Sequence, residues 1–188
     1  MQIGGKKMNI AVYLGSSFGN DPSYKEAAAE LGRWIGSKGH TLVYGGSKRG
    51  LMSILAGAVH DEGGKVIGVE PKFFMKDEIV SVILDELFVT EDISDRKKKM
   101  IELSDAFICF PGGTGTLEEI AEVMSMNALK LRNAPCILYD LHGYYQPLKE
   151  QLDLMVEKGF STKEKLEPIA FVTSLKQIAS IIEKAEDK

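Results

Sequence analysis

An apolar run, Ala106 to Phe110, leads directly into Pro111-Gly112-Gly113-Thr114-Gly115-Thr116-Leu117-Glu118-Glu119, and a helical pattern then continues to about Leu131. A short buried strand that turns through three glycines into a helix commits this part of the chain to an α/β unit. Glycines at such a turn let the backbone approach a ligand and aim its N–H groups at it. The helix adds its positive N-terminal end, so Gly112, Gly113, Thr114, Gly115 and Thr116 form a candidate phosphate cradle. Two carboxylates follow within the first helical turn. A bland reading remains for a glycine-rich turn taken alone, with Glu118 and Glu119 placed to suit the helix dipole.

The same alternation runs from end to end. Strands are expected at Asn9–Leu14, Thr41–Tyr44, Lys65–Val69, Glu86–Val89, Ala106–Phe110, Cys136–Tyr139 and Ala170–Val172. Helices are expected from Pro22 to about Lys38, Gly50 to Glu62, Ile93 to Leu103, Tyr144 to Lys158 and Leu175 to Lys184, with Asp21 and Asp92 as caps. Strands separated by helices imply a single doubly wound, Rossmann-like α/β domain over residues 8–188, with a mainly parallel sheet of about seven strands. Residues 1–7 read as a flexible N-terminal extension without the apolar stretch of a signal peptide. Glycine clusters follow three of the strands: Gly15, Gly45-Gly46 and Gly112-Gly113. Ligands in such sheets bind at the carboxyl ends of strands, so one shared site explains the three clusters better than three unrelated turns.

Composition removes several classes of function. The 188 residues carry a formal net charge of −4, which gives no electrostatic case for a nucleic-acid binder. No apolar run approaches the ~20 residues needed to span a bilayer. Cys109 and Cys136 lie in apolar strands and read as reduced core residues in a cytoplasmic protein. His40, His60 and His142 show no ligand spacing, so solvated or capping roles are expected for them and no metal site is expected.

The helix Ile93–Leu103 supplies the second clue. At 100° per residue, Ile93, Met100, Ile101 and Leu103 form its apolar face, and Arg96 and Lys97 fall within that face. Cations at core-facing positions are costly unless an anion meets them. Snorkelling along the core is the alternative, less apt for the planar fork of Arg96. On the helix after the cradle, Leu117, Ile120, Ala121, Met124 and Ala128 are expected to face inward. Glu119 is expected on the other side with Val123 and Met126, an apolar strip that a second subunit could cover.

The string PGGxGTxxE, together with Gly15-Ser16-Ser17, Tyr44-Gly45-Gly46, Gly50-Leu51-Met52, Asp95-Arg96-Lys97 and Gly143-Tyr144-Tyr145, resembles the LOG family of phosphoribohydrolases. The resemblance covers about Met8 to Phe160, in family order. It implies hydrolysis of the N-glycosidic bond of a nucleoside 5′-monophosphate, such as a cytokinin riboside monophosphate or AMP, to free base and ribose 5-phosphate. It implies Arg96 and Glu119 as catalytic residues, no cofactor, and a homodimer with the site near its interface. The substrate-binding set is then Ser16, Gly45, Gly46, Met52, Arg96, Lys97 and the cradle residues Gly112 to Thr116. Two departures bear on base recognition. Ile93-Ser94 stands where the family has Met-His. Met126 to Arg132 stands where the family has a Trp and then Gln-Leu-Gly-Ile-His.

A non-catalytic nucleotide or molybdenum-cofactor carrier is the alternative, since such carriers share the cradle. A carrier does not need the pair Arg96 and Glu119. A nicotinamide oxidoreductase is less apt, because Gly15-Ser16-Ser17-Phe18-Gly19 is not GxGxxG and Tyr44, not an acid, ends the second strand.

Overall fold

The computed structural model describes residues 6–77 and 81–186. Its elements in chain order are β1 (Asn9–Tyr13), α1 (Ser23–Ser37), β2 (Thr41–Tyr44), α2 (Gly50–Asp61), β3 (Lys65–Pro71), β4 (Glu86–Thr90), α3 (Ile93–Leu103), β5 (Ala106–Cys109), α4 (Thr114–Ala128), β6 (Cys136–Tyr139), α5 (Gln146–Glu157), α6 (Lys163–Leu166), β7 (Ile169–Val172) and α7 (Leu175–Glu186). All seven expected strands form. The short α6 and a 3-10 segment, Lys72–Asp77, carry no periodic pattern and were not expected. Most of the proposed N-terminal extension, residues 1–5, lies outside the described residues.

The sheet is parallel throughout, in the order β4-β3-β2-β1-β5-β6-β7. Successive strands step outward from β1 to β4, and β5 then returns to the other side of β1. The reversal between β1 and β5 opens a crevice at their carboxyl ends, where ligands of doubly wound sheets bind.

Strand alternation sorts the core into two layers. Ile10, Val12 and Leu14 of the first strand region, with Ala106, Ile108 and Phe110, pack with α1, α2 and α7. Ala11 and Tyr13, with Phe107 and Cys109, face α3, α4 and α5 on the other side. α3 begins as its sequence suggests, whereas α1 begins one residue later than expected, with Pro22 at the cap position and Asp21 just ahead of it. Asp21 Oδ1 accepts from Ser23 N–H at 2.9 Å, and Asp92 Oδ1 accepts from Asp95 N–H at 2.8 Å.

Two expectations need correction. The inward face of α4 is Thr116, Glu119, Ile120, Val123, Met124 and Asn127, while Leu117 and Ala121 are exposed. The buried face is therefore shifted by one residue from the expected stripe. Glu119 belongs to the buried side, Val123 is fully buried, and Met126 packs against the same core. Hydrophobicity alone misplaces this face because it carries a buried acid, Glu119. The second correction is His40, which is buried: its Nδ1 accepts from Met8 N–H at 3.3 Å and its Nε2 lies 3.1 Å from Glu186 Oε1. Burial is the main cause that holds its pKa below the ordinary histidine value.

Candidate active site

Three glycine turns meet backbone to backbone at the crevice. Gly15 N–H donates to the Pro111 carbonyl at 3.3 Å, tying the loop after β1 to the loop after β5. Gly50, with φ +56°, lies so close to Ser16 and Ser17 that a Cβ there would overlap their backbone. The loop after β2 is thereby locked onto the loop after β1.

The cleft so formed holds about 330 Å³ and is lined by Tyr13, Ser16, Gly45, Met52, Phe74, Arg96, Met100, Gly113 to Thr116 and Glu119, among others. Larger hollows of about 530, 490 and 470 Å³ lie elsewhere, around Lys130 and Arg132, around Val156 and Leu166, and around Met8 and Pro135 at the amino ends of the strands. None of these borders the crevice at the strand reversal, and among the described residues the smaller cleft joins the open glycine turn to the buried Glu119.

The cradle is open for an anion. Among the described residues, no acceptor meets the backbone N–H groups of Gly112, Gly113, Thr114, Gly115 or Thr116. They are the orphan donors of a helix start and the glycine turn before it.

Opposite the cradle, α3 and α4 present their charged pair. Arg96 Nη1 lies 2.6 Å from Glu119 Oε1, and Arg96 Nε donates to the Val69 carbonyl at 2.9 Å. The anion that the core-facing Arg96 required is thus Glu119 of the same chain. Burial raises the pKa of the Glu119 carboxyl, and the Arg96 charge and hydrogen bond offset that only in part. Lys97 is drawn elsewhere. Its Nζ lies 2.8 Å from Glu118 Oε1 and 3.1 Å from Glu122 Oε2, which raises its pKa, and it does not line the cleft. Gly46, with φ +76°, also stands back from the lining and packs on the Glu70 side chain, while Gly112 faces a smaller hollow behind the turn.

Two buried groups, one lining the cleft and one beside Arg96, carried no motif. Tyr13 lines the cleft, and its hydroxyl is buried with no partner among the described residues. Burial first, and the Glu119 charge second, hold its pKa well above the ordinary tyrosine value. Strand alternation places Tyr13 on the α3–α4 side, so a phenol on that face was the available signal. Glu70 is 2% exposed at the end of β3, and burial pushes its pKa up to about 7 against the pull of Arg96. An acid closing an otherwise apolar strand was the signal there. Among the described residues no cluster of His, Cys, Asp and Glu could hold a metal ion.

A doubly wound parallel sheet, with an open N–H turn and an arginine–glutamate pair at its strand reversal, defines a Rossmann-like α/β protein. The family model described as "Possible lysine decarboxylase" matches residues 52–182. The chain is 41% identical over 183 residues to cytokinin riboside 5'-monophosphate phosphoribohydrolase LOG1 of Arabidopsis thaliana, covering 97% of this chain and 86% of that protein. It is 43% identical over 149 residues to the probable cytokinin riboside 5'-monophosphate phosphoribohydrolase LOGL3 of Oryza sativa subsp. japonica, covering 79% and 71%. The chain belongs to this LOG family of the possible lysine decarboxylase type. A molybdenum cofactor carrier protein from Chlamydomonas reinhardtii shares the fold, with a TM-score of 0.71 at 23% identity over 97% of this chain and 100% of that one.

Proposed function

We propose that this chain hydrolyses the N-glycosidic bond of a nucleoside 5′-monophosphate, releasing the base and ribose 5-phosphate. The observation that carries this reading is the Arg96–Glu119 pair facing the open N–H cradle across one cleft. The cradle takes the 5′-phosphate, which fixes the ribose in register. As the C1′–N bond breaks, the base leaves with the electron pair and takes a proton, positive charge builds on the sugar, and water adds at C1′. A fixed Glu119 carboxylate stabilises that charge or orients the water. Arg96 opposes the effect of burial on Glu119 and, through its hydrogen bond, keeps the carboxylate aimed.

The family description names a different reaction. A decarboxylase using a pyridoxal Schiff base would need a lysine in the cleft, and none of the described lining residues is one. The carrier reading leaves the buried Arg96–Glu119 pair without a task. Incubating the protein with AMP and with isopentenyladenosine monophosphate, and measuring ribose 5-phosphate, separates the two. Release from either supports hydrolysis and ranks the bases. Tight binding of both without release supports a carrier.

The protein is further proposed to act as a homodimer through the outer side of α4. Leu117 is 44% exposed there, and Leu129 and Leu131 just beyond the helix are 66% and 70% exposed. Covering such side chains is favourable by roughly 1.5–3 kcal/mol each. Light scattering of the wild type and of Leu129→Lys tests this, with a shift from dimer towards monomer expected in the variant. Two buried, unpaired cysteines support a reducing, cytoplasmic setting. No described helix is long and apolar enough to cross a membrane.

A further inference from the structure

The Gly143-Tyr144-Tyr145 segment takes no part in the cleft lining, yet both of its phenols end on the cradle turn. Tyr145 Oη donates to the Phe110 carbonyl at 2.8 Å, and Tyr144 Oη donates to the Gly112 carbonyl. The carbonyl between them, of Pro111, is held by Gly15 N–H at 3.3 Å. Three consecutive carbonyls of the turn are therefore anchored. In a trans peptide the N–H points opposite to its C=O. Holding the Pro111 and Gly112 carbonyls on one side sends the Gly112 and Gly113 N–H groups to the other, where they have no partner among the described residues.

The phenols are themselves braced. Tyr145 is 5% exposed, its N–H donates to Asp140 Oδ1 at 2.6 Å, and Cys109 Sγ lies 3.0 Å from its hydroxyl. The Tyr144 ring meets the Tyr145 ring edge-on at 5.0 Å and the Tyr24 ring at 6.3 Å. Tyr144 and Tyr24 line a hollow of about 200 Å³ with Gly15, Pro111, Gly112 and Gly113, on the reverse side of the turn from Arg96 and Glu119.

We propose that Tyr144 and Tyr145 are positioning residues for phosphate recognition, gripping the cradle's carbonyls from behind so that its N–H groups face the cleft. The proposal rests on the reading that the cradle holds the 5′-phosphate. Neither tyrosine touches substrate. Without the Tyr144 hydroxyl the Gly112–Gly113 peptide is free to rotate, because glycine on both sides imposes little restraint. Each anion bound must then oppose that freedom.

Tyr144→Phe keeps both ring contacts and removes only the hydroxyl, at a half-exposed side chain. Its melting temperature is expected to stay within about 2 °C of wild type, the scale of a surface change. Its KM for AMP and its dissociation constant for ribose 5-phosphate are expected to rise together, by roughly tenfold, with kcat nearly unchanged. Ribose without its phosphate serves as the control and should bind both proteins equally poorly. A purely structural role would lower the melting temperature and leave KM alone. A folded Tyr144→Phe protein that binds ribose 5-phosphate as tightly as wild type overturns the tyrosine proposal. If the wild type itself does not prefer ribose 5-phosphate over ribose, the phosphate reading of the cradle falls instead.

Discussion

Gly45 and Arg96 share one small space: a Cβ on Gly45 would overlap the Arg96 Nη2 atom and crowd Met52 Sδ at 3.1 Å. The glycine is therefore a condition for the guanidinium's position, beyond any turn it serves. Gly45→Ala should push the guanidinium off Glu119 while the sheet beneath stays intact. A fall in kcat/KM of at least ~10-fold is expected, as for a small misplacement of a reacting constellation. The melting temperature should change little, because the displaced atoms are the end of a flexible side chain. Wild-type kinetics in Gly45→Ala would show that the guanidinium's position does not matter.

Adjacent acids should behave very differently. Glu119→Gln is expected to lower hydrolysis by at least ~100-fold, as for loss of electrostatic stabilisation in the transition state. It also leaves Arg96 without its carboxylate at a cost of about 1–3 kcal/mol. Glu118→Gln should leave kcat within about threefold of wild type, because its carboxylate meets Lys97 on an exposed face and such pairs contribute little. Steady-state assays of both variants, with circular dichroism to confirm folding, check the contrast.

Glu70 should make stability depend on pH. Its folded pKa, about 7, lies above the ordinary glutamate value of 4.5, so the folded state holds the proton more tightly than the unfolded state. The stability it confers relative to an ionised acid is present below about pH 4.5 and is lost as pH rises through 7. Glu70→Gln keeps a neutral polar end at every pH. Its melting temperature should therefore gain on wild type between pH 5 and pH 8, by a few degrees. Parallel melting curves across that range would sink the idea.

Lys130 has φ +57° just after α4, a conformation that costs a side-chain-bearing residue roughly 1 kcal/mol. Lys130→Gly should raise stability by up to about 1 kcal/mol in urea unfolding with no change in m-value. A loss of stability would mean that the lysine side chain contributes more than its backbone strain.

The order of strands and helices was legible because a parallel sheet covered on both faces writes each strand as an apolar run between glycine turns. The cradle and Arg96 were legible for related reasons: glycines mark close backbone approach, and a cation on a core-facing position demands a partner. What periodicity could not show was which anion answers it. Glu119 was placed on the wrong side of α4 because apolar Leu117 and Ala121 outvoted a buried acid. Lys97 looked like a second ligand to substrate, but three carboxylates stand near the start of α4 and two of them take it. Tyr144 and Tyr145 were visible as a motif, yet their contact with the turn after β5 spans more than thirty residues of chain. No local pattern encodes such a contact.

The interlocking of the glycine turns limits how a cleft of this kind can change its preference. Gly50 presses on the backbone of Ser16, and a Cβ at Gly112 would overlap the Thr116 side chain and sit 2.9 Å from Gly15 N. A side chain at Gly50 or at Gly112 disturbs the loop after β1. Variation has to enter through side chains carried by neighbouring segments, such as Met52 on α2 and Phe74 after β3. A library seeking a new base preference would diversify Met52 and Phe74 and leave every glycine of the crevice untouched.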